Sequence, residues 1–310
     1  MSSRWFKQLN RNKALLLMVL PAAVWFILFS YLPMIGTVIA FKEYRYDSNG
    51  FFASILNSKW VGFDNFKFLF QTNDAWMITR NTILYNFAFI VLGLVAAVTL
   101  AICLVELTSR RLSRTYQTAM LMPYFLSWII VSYFVFSFLS SSKGLLNQLM
   151  RWLGLEPIYW YNEPKYWPYL FIIIYLWKFV GYNSVMYLAA IMGIDRSLYE
   201  AAMIDGAGKW KQILHITLPQ LSTLMTILTL LAVGKIFYAD FGLFYQVPRN
   251  SGLLYSTTNV IDTFVYRGLK TTGEIGMSTA AGFYQSVVGF VLVLLSNNVV
   301  RKLNKDNALF

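Results

Sequence analysis

Six long apolar segments run through the chain, and the shorter stretches between them hold most of its charged residues. A helix needs about 20 predominantly apolar residues to cross the hydrocarbon of a bilayer. Each segment is at least that long, so the pattern predicts six transmembrane helices. They cover residues 14–41, 81–105, 115–142, 166–194, 219–245 and 275–300.

Three prolines, Pro21, Pro33 and Pro123, fall inside the predicted spans. Proline removes a backbone donor, but neighbouring helices can satisfy the carbonyl that this leaves free. We therefore expect kinks at these positions and no interruption of the helices.

Composition points to the bilayer as the solvent. Hydrophobic residues make up 57% of the chain and charged residues only 13%, whereas about a quarter of the residues in soluble domains are charged. The net charge of +12 could suggest a nucleic-acid partner, but no nucleic-acid motif accompanies the basic residues. The single Cys103 excludes an intramolecular disulfide and a Cys-rich metal site. We expect membrane lipid, and no nucleic acid, around this chain.

Lys and Arg are distributed unequally between the two sides of the predicted membrane. The two tails, residues 107–114 and residues 195–218 hold 13 of them in short segments, whereas the longer loops 42–80, 143–165 and 246–274 hold 11. Short cytoplasmic segments are the ones enriched in Lys and Arg. Both termini and the loop at 195–218 are therefore predicted to be cytoplasmic.

The longest inward-facing loop contains the polar stretch LYEAAMIDGAGKWKQILHITLP at residues 198–219. A phosphate-binding loop would need Ser or Thr after Gly-Lys, and a further glycine five residues before that Gly. Here Gly208 and Lys209 are followed by Trp210, and Met203 occupies the first-glycine position. The phosphate-loop interpretation fails.

The same stretch is typical of a docking element. Residues 198–204 are good helix formers, and the Asp205-Gly206 pair with Gly208 supplies a chain reversal. A second helix over 209–217 would lead to Pro219 in the first turn of the next span. His215, the only histidine, has no neighbouring carboxylate or cysteine, so we interpret it as surface or interface packing.

This loop resembles the cytoplasmic signature of the inner-membrane permease subunits of bacterial ABC importers. That signature is Glu-Ala-Ala, three residues, Gly, nine residues, then Ile-x-Leu-Pro. The matching residues, with two neighbours that the family also usually shows, are Glu200, Ala201, Ala202, Asp205, Gly206, Ala207, Ile216, Leu218 and Pro219.

Three further stretches extend the resemblance over nearly the whole chain. WVGFDNFKFLF at 60–70 is similar to the Gly-x-x-Asn-Phe element of maltose-type sugar permeases. YLPMIGTVIAFKEY at 31–44 and VIDTFVYR at 260–267 look like the branch that imports complex oligosaccharides and polysaccharide fragments.

The resemblance implies an all-α polytopic protein of the bacterial inner membrane, with the type I permease fold of ABC importers in one domain over residues 1–310. It implies a second permease subunit in a heterodimer, two cytoplasmic ATPase subunits and an extracytoplasmic solute-binding protein that delivers an oligosaccharide. ATP and Mg would be bound by the ATPase, so this chain would be non-catalytic and hold no cofactor. The loop at 195–218 would be the coupling loop, seated in a groove of the ATPase.

Three ionisable residues, Lys178, Lys235 and Asp240, lie at membrane depth, where such groups usually face a cavity or one another. Lys235 and Asp240 are five residues apart, which places them about 140° apart around a helix and prevents easy pairing. Either lysine could bind an acidic sugar, snorkel to the interface or join an interhelical salt bridge.

The resemblance places sugar contacts near residues 177–181 of the fourth span and 237–241 of the fifth. In the fifth span the chain departs from the family's Asn-rich pattern, which weakens the transfer of individual contacts. The predicted pathway residues are Trp177, Lys178, Phe179, Gly181, Tyr182, Asn183, Lys235, Tyr238 and Asp240.

Two other classes of function account for part of this pattern. An ATP-independent channel or secondary transporter would explain six spans and intramembrane charges, but it gives no reason for a cytoplasmic helix–turn–helix of this spacing. A membrane enzyme lacks a visible catalytic constellation: the chain has no His/Asp/Glu cluster, no Ser with a base and no metal-ligand spacing.

Overall fold

A computed structural model describes residues 12–68, 73–271 and 273–303 of the chain. The basic residues of the tails at 1–11 and 304–310, which entered the topology prediction, lie outside the described residues, as do Leu69 and Phe70 of the 60–70 motif. The α-helices are α1 (Lys13–Phe26), α2 (Phe51–Asn57), α3 (Asn73–Glu106), α4 (Arg110–Leu121), α5 (Trp128–Leu139), α6 (Leu145–Trp152), α7 (Trp167–Met192), α8 (Arg196–Ile204), α9 (Lys209–Gln212), α10 (Leu218–Val233), α11 (Tyr255–Thr258), α12 (Ile261–Thr271) and α13 (Ile275–Leu303). One antiparallel pair joins β1 (Lys42–Glu43) to β2 (Lys59–Trp60).

Helical stretches long and apolar enough to cross a membrane occur at five places among the described residues, and a sixth is a bent pair of helices. This agrees with the predicted number of spans. The five are Lys13–Phe41, Asp74–Glu106, Pro164–Met192, Lys209–Val233 and Ile275–Lys302, and the pair is Arg111–Phe125 with Trp128–Leu139.

The third span is broken, so the expectation of one helix over 115–142 with a kink at Pro123 is wrong. The two parts meet at an angle of 100°. A 3₁₀ turn, Met122–Phe125, follows α4, and Leu126 is extended. Proline cannot donate to the preceding turn, and Ser127 then starts a new helix by accepting a hydrogen bond from the Ile130 N–H at 3.4 Å.

The fifth span is also interrupted, whereas the sequence predicted one helix over 219–245. Its α-helix, α10, ends at Val233, and regular helix resumes only in a π-helical turn at Gly242–Gln246. Lys235 and Asp240 lie in the irregular stretch between them. The predicted angular separation of these two residues around one helix therefore does not apply.

Pro219 lies in the first turn of α10, as predicted, but no break precedes it. A π-helical turn, Ile213–Thr217, joins α9 directly to α10, and the Leu218 N–H donates to the Ile213 carbonyl. The wider turn lets the helix run on past the proline. The loop and the fifth span consequently share one continuous helical path.

The chain divides into two compact units, one from residues 1–71 and 268–284, the other from 72–267 and 285–310. In the first, Ala40, Phe66 and Ala280 form a small core. The Asn65 side chain donates to the carbonyls of Ala40 and Lys42 at 3.0 and 2.9 Å. The Gly-x-x-Asn-Phe element thus has a structural role in this unit, because its Asn65 binds the backbone of residues 40 and 42.

The second unit has two cores. One is aromatic and centres on Trp167, Phe171 and Phe244. In the other, Ala97 and Ala101 are fully buried beside residues of α7 and α10. Small residues at helix interfaces in membranes let the backbones approach closely. The helices α3 and α7 therefore pack closely together and support the irregular segments.

Candidate coupling loop and transport pathway

The loop after α7 opens with α8. The Asp195 carboxylate accepts a hydrogen bond from the Ser197 N–H at 3.0 Å, and this bond holds the pKa of Asp195 below its usual value. Glu200 and Ala201 are exposed, and Ala202 is half-buried. The Glu-Ala-Ala triplet is therefore largely open to solvent.

The end of α8 is fixed by its glycine. Gly206 has a φ of +75°, a left-handed conformation that side chains with a Cβ disfavour. The Gly206 N–H donates to the Met203 carbonyl at 3.1 Å, and the Ala207 N–H donates to the Ala202 carbonyl at 2.8 Å. These bonds form the reversal predicted at Asp205 and Gly206.

Two side-chain hydrogen bonds hold the second part of the loop against the first. Gln212 Nε2 donates to the Ala207 carbonyl at 2.9 Å, and the Tyr199 and Thr217 hydroxyls are 2.9 Å apart. His215 is exposed, with Nδ1 3.0 Å from the Lys211 carbonyl. Of the remaining signature residues, Ile216 and Leu218 are half-buried and Pro219 is exposed.

An ion pair links the loop to the end of the second span. Lys209 Nζ lies 2.8 Å from Glu106 Oε2, and both side chains are well exposed. Such a pair contributes at most about 1 kcal/mol, but it joins α9 to α3. Next to it lies a half-open cleft of about 460 Å³ lined in part by Tyr199, Glu200 and Met203.

Large apolar side chains of the loop are exposed. Ile204 is 87% exposed, Trp210 77% and Met203 56%. Exposed apolar groups rimmed by polar ones mark interaction surfaces. We call the set formed by Glu200, Met203, Ile204, Asp205 and Trp210 the coupling face.

Lys178 of α7 lies at the break between α4 and α5. Its side chain is buried, with 4% exposure. The ammonium group donates to the carbonyls of Pro123 and Tyr124, each at 3.1 Å, and to that of Leu126. These carbonyls lie where the helix stops, and together they use every donor of the ammonium group; the Pro123 carbonyl also accepts from the Leu126 N–H at 3.2 Å.

Trp128 stands between Lys178 and Asp240. Lys178 Nζ is 5.1 Å from the indole ring centroid, and the indole N–H donates to Asp240 Oδ2 at 3.0 Å. Asp240 Oδ1 accepts from the Leu243 N–H at 3.2 Å. The Phe179 ring is 6.1 Å from that of Trp128. The structure thus brings together three predicted pathway residues around an indole that the sequence analysis did not single out.

The irregular stretch 234–241 is held by polar side chains from three helices. Non-helical backbone at membrane depth needs protein partners for its polar groups, and Asn86 of α3, Gln285 of α13 and Asp262 of α12 supply them. Asn86 donates to the carbonyls of Ile236 and Tyr238 at 2.9 and 3.2 Å. Gln285 donates to the carbonyl of Phe237 at 2.6 Å. Asp262 accepts from the N–H of Ala239 at 2.8 Å.

Other predicted pathway residues lie apart from the Trp128 cluster. Trp177 is 48% exposed and lines an apolar groove with Phe134 and Phe138. Lys235 is exposed, and the Tyr238 hydroxyl is 2.7 Å from that of Ser286.

Three more predicted residues follow Lys178 along α7. Gly181 is buried against the backbone of Met120 in α4. Tyr182 stacks on Tyr124 with ring centroids 3.9 Å apart. Asn183 lines a cavity of about 200 Å³ that also includes Thr229.

Sequence reasoning missed Asn86, Trp128, Asp262 and Gln285. Asn86 and Gln285 are uncharged polar residues inside predicted spans, where only ionisable side chains stand out by their rarity. Asp262 falls in a predicted outer loop. Trp128 is one of 10 tryptophans and nothing in its sequence context distinguishes it.

Comparison with known proteins agrees with this arrangement. Residues 89–305 match the family described as binding-protein-dependent transport system inner membrane component. The chain belongs to this family. The predicted family and the all-α permease fold are thereby confirmed, and the described helices match a multi-pass inner-membrane protein.

Two relatives in Bacillus subtilis (strain 168) are similar over nearly their whole length. Protein LplB is 32% identical over 302 residues, covering 97% of this chain and 93% of the relative. The polygalacturonan/rhamnogalacturonan transport system permease protein YteP is 34% identical over 304 residues, covering 96% and 91%.

Solved structures show the same fold. A chain of a bacterial ABC transporter involved in the import of the acidic polysaccharide alginate is 33% identical, with a TM-score of 0.87 over 97% of this chain and 100% of that one. A chain of a bacterial alginate ABC transporter in complex with an alginate pentasaccharide-bound periplasmic protein gives a TM-score of 0.88 at 33% identity, covering 98% and 99%.

Proposed function

We propose that this chain is one permease subunit of an ATP-driven importer, which takes up oligosaccharides delivered by an extracytoplasmic solute-binding protein. The coupling face is the observation that carries the proposal. The chain itself is non-catalytic in this proposal. ATP and Mg are bound by two partner ATPase subunits, and a second, different permease chain completes the pathway.

The coupling face supports the ATPase contact. Ile204 and Trp210 expose most of their apolar surface on a loop that the Lys and Arg distribution predicts to be cytoplasmic, together with both termini. A groove on the ATPase would cover them, with Glu200 and Asp205 available to basic partner groups. ATP can shift the permease between two states only through contacts that differ between those states.

The hydrogen bonds within the loop support transmission of that movement. The bonds from Gln212 to Ala207 and between Tyr199 and Thr217 hold the two halves of the loop together. The continuous helix from α9 into α10 then leads to the irregular stretch 234–241. A push on α8 would thus reach the part of the fifth span that is least regular.

The proposed cargo is an acidic oligosaccharide. Two of the matched proteins are named for polygalacturonan/rhamnogalacturonan and for the acidic polysaccharide alginate. Lys178 is poorly suited to bind the acid, because its ammonium group is already occupied by carbonyls. Lys235 is exposed and remains available.

Replacing Gly206 by Val is expected to lower cargo-stimulated ATP hydrolysis about tenfold or more, because a β-branched residue at positive φ strains the turn by at least 1–2 kcal/mol. The measurement uses the complete complex in liposomes with loaded binding protein. Gly208→Ala is the matched control, since Gly208 has a φ of −68° and no atom within 4 Å of an added Cβ. Full activity of the Gly206 variant would remove the proposed coupling role.

A further inference from the structure

Two consecutive residues without a glycine's freedom adopt the left-handed conformation near the outer end of the fifth span. Arg249 has a φ of 55° and Asn250 a φ of 48°. Non-glycine residues in this conformation are strained, and they cluster at ligand sites. Asn250 is held in place, since its Oδ1 accepts from the Tyr255 hydroxyl at 3.1 Å and from Arg267 at 3.0 Å. These bonds hold the turn at Asn250, next to the exposed Arg249.

The Arg249 guanidinium rests on an aromatic ring and keeps its donors free. Its Cζ lies 4.3 Å from the centroid of the Phe136 ring, and the residue is exposed. Within residues 12–68, 73–271 and 273–303, no group accepts a hydrogen bond from this guanidinium or forms a salt bridge with it, although its charge acts on Tyr161. A stacked guanidinium is oriented in advance, and its fork of donors matches a carboxylate.

Arg267 provides an internal comparison. It also rests on a ring, with its Cζ 4.2 Å from the Tyr255 centroid. Its guanidinium, however, donates to the side chains of Asn250 and Asn259. Of these two arginines stacked on rings, Arg267 stabilises the fold and Arg249 presents its donors.

The groups around Arg249 suit a sugar acid. The Tyr161 ring lies 5.7 Å from Phe136, and its hydroxyl donates to the Val247 carbonyl at 3.3 Å. Burial raises the pKa of Tyr161 to about 12, although the charge of Arg249 acts in the opposite direction, so this hydroxyl is neutral and forms no ion pair with the guanidinium. Tyr133, 63% exposed, lies three residues before Phe136 on α5 and so on the same side of the helix. Aromatic faces cover the C–H face of a pyranose while polar neighbours bind its substituents.

We propose that Arg249 is a specificity-determining residue, whose guanidinium binds a carboxylate of an acidic oligosaccharide as the sugar leaves the binding protein and enters the permease. This inference rests on the proposed function. It assigns recognition of the acid to the outer end of the fifth span, away from Lys178.

The test compares Arg249→Gly and Arg249→Lys with the unmodified chain in the complete complex in liposomes. Glycine fits the left-handed backbone, so the Gly variant removes the side chain without straining the turn. The cargo probes are alginate and galacturonate oligosaccharides of four to five sugars on their binding proteins. At saturating loaded binding protein we expect the import rate of Arg249→Gly to fall about tenfold, as for a lost charge-assisted hydrogen bond.

Two readouts separate this role from a merely structural one. The concentration of binding protein that gives half the maximal rate is expected to stay unchanged. Arg249→Lys is expected to recover part of the rate. An unchanged import rate, or a rise in the half-saturating concentration of binding protein, would overturn the inference.

The proposed function fails in a different way. If the unmodified complex showed no import that depends on ATP and binding protein, for acidic or neutral oligosaccharides, the proposed function would be wrong. If it imported neutral oligosaccharides alone, ATP-driven oligosaccharide import would stand, and both the acidic cargo and the role of Arg249 would be rejected.

Discussion

Replacing Lys178 by Met is expected to destabilise the folded chain by several kcal/mol and to abolish most transport. Methionine has a similar length but donates no hydrogen bond, so the carbonyls of Tyr124 and Leu126 would lose the Lys178 donor and that of Pro123 would keep only the Leu126 N–H. Leaving a buried polar group unpaired costs about 1–3 kcal/mol. The measurement is thermal unfolding of the purified complex, followed by uptake in liposomes.

The matched control is Lys235→Met. Lys235 lies in the same membrane region but is exposed, so the same substitution should change the unfolding free energy by no more than about 0.5 kcal/mol. Normal stability of Lys178→Met together with selective loss of acidic cargo would contradict the capping role. That pair of results would return Lys178 to substrate recognition.

The sequence predicted the number of spans because apolar length is a local property. The loop was predicted equally well in outline, since the left-handed turn needs a glycine and the first turn of the next span tolerates a proline. Gly206 and Pro219 occupy those positions in the structure.

The breaks in the third and fifth spans could not be predicted in the same way. A membrane helix tolerates proline when another group satisfies the freed carbonyls, so Pro123 alone does not distinguish a kink from a break. The deciding group is Lys178, 55 positions away along the chain from Pro123. Periodicity also gives no signal for the irregular stretch 234–241, where Lys235 and Asp240 interrupt an otherwise largely apolar sequence.

The candidate pathway was predicted in part. Lys178 and Asp240 were found because charge at membrane depth is rare, and both contact Trp128. Asn86 and Gln285 also hold the irregular stretch in place, yet they are uncharged and bind backbone groups. The carbonyl of Tyr238 bound by Asn86 is 152 positions away. Both are polar residues within predicted spans, so polarity at membrane depth, and not charge alone, is the signal that indicates them.

Replacing Gly181 by Ala is expected to reduce transport more than tenfold and to lower the unfolding free energy by about 1–3 kcal/mol or more, as overpacked sites do. A Cβ at this position would overlap the backbone carbonyl of Met120. No side-chain rotation relieves a clash with backbone, so α4 or α7 must shift. The 3₁₀ turn whose carbonyls Lys178 binds directly follows α4.

Gly93→Ala is the control for the Gly181 variant, because Gly93 lies inside α3 and an added Cβ there meets no atom within 4 Å. Alanine should be neutral there, or stabilise the helix by up to about 1 kcal/mol. Both variants are compared by thermal unfolding and by uptake. Equal stability of the two would show that α4 and α7 can separate freely, and the Lys178 cap would then not depend on their close approach. A loss of stability and uptake confined to Gly181→Ala would show that the break in the third span depends on the close approach of α4 and α7. Because Trp128 follows that break and donates to Asp240, the fifth span would depend on it too.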